Sequence, residues 1–250
     1  MFLVVEEEGP KAAQATASSQ DAWSPSRMQF GFFLFCDSSS NLFTLQMSEA
    51  PVFEFAAFLA TTLDGSIAQA DGTMDFLDAA NATMTPGEDC GIAAFLSSVE
   101  AIIMGRHTFI HVLNTAKDSW PYGDVPLYVV SGTLEELPPT SPPSVKLVKF
   151  RKVETIVRFL ERSWNERLVT ENQEQARGER RRIRVYVDGG ELVRSFIKEH
   201  LLHEITVTVI PKVLGHGRRL LGGTQDVDLV LKDCTHWEFG FVQCRYEFRY

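Results

Sequence analysis

Two short stretches of the sequence hold residues whose types and spacing suit anion chemistry. In the first, three apolar residues, Ile102 to Met104, run into Gly105, then Arg106, His107 and Thr108, and apolar positions at helical spacing follow. A strand that stops at Met104, a turn at Gly105 and a helix opening near Arg106 would leave backbone N–H groups without partners. Such a helix start attracts negative charge. Arg106 adds a planar fork of donors and Thr108 a hydroxyl, whereas an ordinary strand–turn–helix with a solvated arginine is the plainer alternative. The second stretch, VYVDGGELV at residues 185–193, repeats the design: an apolar strand, Gly189 and Gly190, then a helix start at Glu191 and Leu192. Two phosphate-type turns in one chain suggest a dinucleotide. No G-x-G-x-x-G occurs, so neither turn is a Rossmann fingerprint.

The elements that must position these turns alternate along the chain. VFEFAAFLA from Val52 is a continuous apolar strand, and AIIM, VPLYVV, VKLVKF and RIRVYV read as further strands. Helices are expected over GRHTFIHVLNTA, VETIVRFLERSW and GGELVRSFIKEH. Residues 61–77 read as a loop with Asp64-Gly65 and Asp71-Gly72 turns, and Pro86 as the start of a helix carrying CGIAAFLSSV. LEELPPTSPPS and KVLGHGRRLLGG are loops, and ERLVTENQEQARGERRR is a solvated insertion. HEITVTVIP alternates, and the last two strands form a hairpin about Gly240. The pattern implies one α/β domain over residues 47–250, a mixed, mostly parallel sheet flanked by helices with a C-terminal antiparallel hairpin. Residues 1–46 are polar and aperiodic, and are expected to be a dispensable leader or a misassigned start before Met47.

Composition narrows the function classes. A formal charge of −9 argues against nucleic acid as a partner, and 44% hydrophobic content suffices for a core. No apolar run reaches the roughly 18–20 residues of a membrane span, so no membrane partner is expected. Cys36, Cys90, Cys234 and Cys244 are scattered without metal-ligand spacing. Cys234 and Cys244 fall on neighbouring strands of the hairpin; free buried thiols, a reducing compartment and a cytoplasmic protein are the expectation.

IIMGRHTF resembles the strand and helix start of dihydrofolate reductases. FLATTLDGSIAQADGTMDFL, WPYGDVPLYVVSGT, VYVDGGELV and ITVTVIPKVLGHGRRLL, in that order, resemble more closely the reductase domain of the riboflavin-biosynthesis deaminase–reductase, in its stand-alone form. The resemblance covers about residues 52–249. The deaminase half is absent, since no His-x-Glu followed by Pro-Cys-x-x-Cys occurs. The Pro-Trp-x-x-Pro-x-Asp/Glu pattern of folate reduction is also missing.

The resemblance implies a dihydrofolate reductase-like fold, NADPH as cofactor, a small-molecule substrate, no bound metal and a homodimer. It places Ala60, Ile67, Ala68, Gly105, Arg106, Thr108, Ser131, Thr133, Gly189, Gly190, Glu191 and Leu192 on the cofactor, Arg106 at the adenosine 2′-phosphate and the Gly189–Gly190 pair beneath the pyrophosphate. For Ser131 and Thr133, plain turn chemistry is an equal alternative. On the substrate side it implies Asp64, Gly65, Phe76, Leu214, Gly215 and Arg218, with Arg218 or Arg219 meeting a phosphate. Asp75 and Asp64 are the candidate proton donors, although Asp64 could simply cap its turn. The expected activity is reduction of a pyrimidine, pterin or related heterocycle, with the riboflavin-pathway step among the candidates. A dihydrofolate reductase and a nucleotide-binding protein without turnover are the alternatives. The Val242, Cys244, Tyr246 and Phe248 face of the last strand suits either an interface or a core.

Overall fold

The eleven residues Val52–Thr62 carry one charge, Glu54, and form β1. A strand so apolar on both faces belongs inside a sheet covered on both sides. The computed structural model, which describes residues 52–116, 120–150, 152–170 and 182–250, places β1 inside an eight-stranded sheet. The chain continues through β2 (Ser66–Ala68), α1 (Asp75–Asn81), α2 (Ile92–Ser97), β3 (Ala101–Gly105), α3 (Arg106–Ala116), β4 (Leu127–Val130) and β5 (Val145–Val148). It then forms α4 (Val153–Thr170), β6 (Arg182–Asp188), α5 (Gly190–Lys198), β7 (Leu202–Ile210), β8 (Arg218–Arg219), β9 (Asp228–His236) and β10 (Val242–Arg249).

The strand order is β5-β4-β3-β6-β1-β7-β10-β9. Pairing is parallel from β5 to β7 and antiparallel at β7–β10 and β10–β9. The mixed, mostly parallel sheet and the terminal antiparallel hairpin are therefore as the sequence pattern implies. Alternate side chains of β1 serve two cores. Ala56, Phe58 and Ala60 meet Phe76, Phe95, Phe109 and Tyr186 beneath α1–α3. Phe55, Ala57 and Leu59 meet Leu160, Val193 and Phe196 beneath α4 and α5.

Three local expectations are corrected. Residues 61–77 are not all loop: β2 pairs with β8 in a separate two-stranded sheet, and Asp75 opens α1. Gly217 makes this pairing feasible, because a Cβ there would lie 2.4 Å from Ser66 Cβ. α2 starts after Gly91, its N-cap, rather than at Pro86, and Asp89 ahead of it satisfies the helix start: Oδ1 accepts from Gly91 N–H (2.8 Å) and Oδ2 from Ala93 N–H (3.0 Å). α4 runs on to Thr170 and absorbs the first residues of the polar insertion. The leader 1–46 lies outside the described residues.

Among the described residues no helix is long and apolar enough to cross a membrane, and no cluster of His, Cys, Asp and Glu is placed to hold a metal ion. Among the described residues Cys90 is buried as expected, whereas Cys234 is exposed and Cys244 half-buried. They lie on β9, the edge strand, and on β10, its neighbour. On the Val242 face of β10, Val242 is exposed and Cys244 half-buried, while the half-buried Tyr246 and Phe248 pack against the second core.

Candidate active site

Open parallel sheets bind ligands beyond the carboxyl ends of their strands, and the register brings the sequence-derived turns to that edge together. Met104 pairs with Asp188, Gly105 with Val130, and Val130 with Val148. The Gly105–Arg106 turn, Ser131 and the Gly189–Gly190 turn thus emerge side by side, although 85 residues separate Gly105 from Gly190. α3 and α5 both begin at this edge.

Each turn has its own local cause. Arg106 is the first residue of α3, half-buried, with Nη2 2.8 Å from His107 Nε2. Thr108 is fully buried beneath the turn, so in this conformation its hydroxyl belongs to the packing and not to the open edge. Ser131 Oγ accepts from the N–H groups of Thr133 (3.2 Å) and Leu134 (2.9 Å), which is the turn-chemistry alternative. Gly189 has φ 104° and ψ 130°, a conformation in which a side chain would be strained. Val193 N–H closes the first turn of α5 onto Gly189 O (3.0 Å), leaving the N–H groups of Glu191 and Leu192 ahead of the ladder. What keeps Gly190 bare is a neighbour within the chain: an added Cβ would lie 2.4 Å from Ile67 Cδ1. Ile67 of β2 packs on this helix start, and Ala60 and Ala68 are buried with it around the end of β1.

Asp64 is saturated. Its Oδ1 accepts from Thr62 Oγ1 (2.5 Å) and Leu214 N–H (3.1 Å), and its Oδ2 from Ser66 Oγ (3.2 Å) and Gly215 N–H (3.1 Å). The Thr62 hydroxyl above all, then the Leu214, Gly215 and Ser66 donors, hold this carboxyl well below the usual carboxylate range against opposing desolvation. An anion so held is a loop clamp, which is the capping alternative for Asp64. Gly65 (φ 76°) makes the turn that allows it. Leu214 and Gly215 are the clamp's other half, and Arg218 donates from Nη2 to Ala70 O (3.2 Å), tying β8 to the segment after β2. Asp75 is exposed in the first turn of α1, where a carboxylate complements the helix dipole, and Phe76 is buried in the first core. A cavity of about 280 Å³ borders Asp64, Thr61, Val207 and Leu220. Val207 and Leu220 belong to the second core, the opposite face from the cluster described next.

The residue that sequence reasoning missed is Asp188, the last of β6. It is 1% exposed, between the buried Tyr186 and Gly189. Its Oδ2 accepts from the Tyr122 hydroxyl at 3.2 Å, while Oδ1 is buried without a hydrogen-bond partner. Desolvation pushes its carboxyl up to about 7, against the lowering effect of the tyrosine hydroxyls and the Gly189 N–H. The Tyr186 hydroxyl donates to Phe58 O (2.9 Å), which leaves Tyr122 as the firm partner of the carboxylate. Trp120, 5.2 Å from Tyr122 between ring centroids, holds a second buried polar atom without a partner, its Nε1. A buried acceptor or acid and a buried indole donor, both unsatisfied, mark a place where a polar ligand would complete the hydrogen bonding. The only sequence signal for Asp188 was a carboxylate directly before the glycine pair.

The chain matches the family model of the RibD C-terminal domain over residues 55–242. It is 34% identical over 162 residues to the uncharacterized protein YwjB of Bacillus subtilis (strain 168), covering 64% of this chain and 78% of that protein. Among solved structures, the "Putative riboflavin biosynthesis protein" from Shewanella sp. PV-4 aligns with a TM-score of 0.64 at 29% identity, covering 79% of this chain and 99% of that one. Acinetobacter baumannii RibD aligns with a TM-score of 0.55 at 16% identity, a likeness of fold in which the match covers 79% of this chain and 58% of that longer one. Turns, strand order and matches agree: this chain belongs to the RibD C-terminal domain family, the reductase type with a dihydrofolate reductase-like fold.

Proposed function

We propose that the chain is an NADPH-dependent reductase of a pyrimidine, pterin or related heterocycle, with the ribosylaminopyrimidine of riboflavin synthesis as its first candidate substrate. The observation that carries this reading is Asp188: a buried carboxyl with one oxygen held and the other free, beside two helix starts. The residues at that edge suit a phosphate-bearing cofactor in charge and placement. Arg106 and the start of α3 would hold the adenosine 2′-phosphate end, and the first N–H groups of α5 the pyrophosphate. When bound, NADPH would supply a hydride to a C=N or C=O carbon.

The chain's own contribution is the proton and its placement. Reduction of C=N or C=O leaves a basic heteroatom, and a carboxyl near 7 retains a neutral fraction able to donate at physiological pH. Tyr122 fixes Oδ2, so the proton is carried at Oδ1, the oxygen without a partner. Trp120 Nε1 supplies a donor to orient the ring of the substrate. Titration with NADPH and NADH, followed by an oxidation assay over a panel of ribosylaminopyrimidine and pterin substrates, tests this. Substrate-dependent NADPH oxidation is expected. Tight NADPH binding with no turnover across the panel would instead make the chain a nucleotide-binding protein.

A further inference from the structure

Cys234 and Cys244 belong to no part of the candidate active site. β9 and β10 pair them directly across the antiparallel ladder, and their Sγ atoms lie 3.2 Å apart. Directly opposed residues in such a ladder have Cα atoms about 4.5–5.5 Å apart, within the span a disulfide bridges. With an S–S bond of about 2.0 Å, closure needs the sulfurs to approach by roughly 1 Å, a motion within reach of a small χ1 rotation. Their exposures differ in a useful way. Cys234 is exposed on the edge strand and meets solvent, and half-buried Cys244 stands behind it. Cys90 shows the contrast: it is buried, and burial pushes its thiol up to about 11, the state of an inert core cysteine. The hydrogen bond shared with Cys244 also holds the Cys234 thiol above its ordinary range, which suits a slow exchanging couple rather than a catalytic nucleophile.

We propose that Cys234 and Cys244 are a redox modification site, a cross-strand dithiol that exchanges with low-molecular-weight disulfides and closes to an intrachain disulfide. The Cys234 thiolate attacks one sulfur of the oxidant, forming a mixed disulfide and releasing one thiolate. Cys244 then attacks the Cys234 sulfur, which forms the Cys234–Cys244 bond and expels the second thiolate. The protein loses two electrons and two protons, and the oxidant leaves as two thiols. The ring so closed encloses Trp237, Phe239 and Phe241, which pack on the first core. Oxidation therefore staples the hairpin turn that seals that core.

The test uses the full chain with oxidised glutathione as the probe, quenched in acid, alkylated and digested with trypsin. Cleavage after Lys232 and Arg245 puts both cysteines in one peptide, residues 233–245. The expected result is loss of alkylation at both cysteines together, in a peptide two hydrogen atoms lighter and restored by dithiothreitol. Cys234→Ser should abolish the lighter species and leave Cys244 alkylated or as a glutathione adduct. Both thiols remaining free in the folded, oxidant-treated protein would overturn the proposal. So would a stable glutathione adduct on wild-type Cys234, or a disulfide between chains.

Discussion

Replacing Asp188 with Asn should make the protein more stable and less active at once. Asparagine keeps the shape and can still accept from the Tyr122 hydroxyl, but it cannot ionise. In the wild type, burial raises this carboxyl from 3.8 to about 7. A group whose pKa is raised on folding favours the folded state only below its unfolded value. Stability is therefore fullest below about pH 4, falls as pH rises towards 7, and stays lowered above it. At about 1.4 kcal/mol for each pH interval of one, the burden above neutrality is roughly 4 kcal/mol, of which roughly 3 kcal/mol develops between pH 5 and pH 8. Urea unfolding of both proteins at pH 5 and pH 8 measures it as a change in midpoint at constant slope. The comparison cancels the titration of His111 and His203, whose burial lowers their pKa values in both proteins. Turnover should fall by about a hundredfold or more if Asp188 delivers the proton. Parallel pH profiles for wild type and variant, or a variant less stable at pH 8, would refute the assignment of a strained, partly protonated carboxyl.

Three further outcomes are expected. Arg106→Ala should weaken NADPH about ten- to a hundredfold, through loss of a charge-assisted contact of about 1.5–3 kcal/mol, and leave NADH nearly unchanged in parallel titrations. Gly190→Val should destabilise by about 1–3 kcal/mol through overpacking against Ile67. Adding Ile67→Ala should recover much of that loss in thermal melts, whereas equal melting of the single and double variants would show that the crowding lies elsewhere. Asp64→Asn should speed amide hydrogen exchange at Leu214 and Gly215, whose N–H groups bond to this carboxylate; unchanged exchange there would mean that the clamp is dispensable.

The sequence makes structure legible where a local pattern determines it, and hides structure that distant partners determine. The Gly105–Arg106 turn was legible because an apolar run, a glycine and a helical period follow one another within eight residues. The hairpin about Gly240, with a cysteine on each strand, was legible for the same reason, whereas the direct opposition of Cys234 and Cys244 comes from the register. The β2–β8 pair was not: its strands are three and two residues long, too short for any period, and meet only because Gly217 lies against Ser66. Asp188 was hidden more deeply. Before two glycines a carboxylate looks like a turn residue, and only the fold shows it buried against Tyr122, 66 residues away. For Asp64 the sequence left a proton donor and a turn cap open, since the donors that hold it ionised include two backbone amides about 150 residues further on. A sequence shows which carboxylates exist, while their protonation depends on partners brought by topology.

The position of β1 has a kinetic consequence. Its neighbours in the sheet are β6, paired from Arg182, and β7, paired from Leu202, so Val52 waits for about 130 residues before its first ladder partner exists. At about 5–20 residues per second on the ribosome, that interval is roughly 7 to 26 seconds. Throughout it, an eleven-residue segment with a single charge and strong β-propensity has no native strand to pair with. A nascent chain of this kind needs shielding during synthesis, and its refolding yield in vitro should fall steeply with protein concentration, as unpaired copies of β1 find one another before β6 finds them.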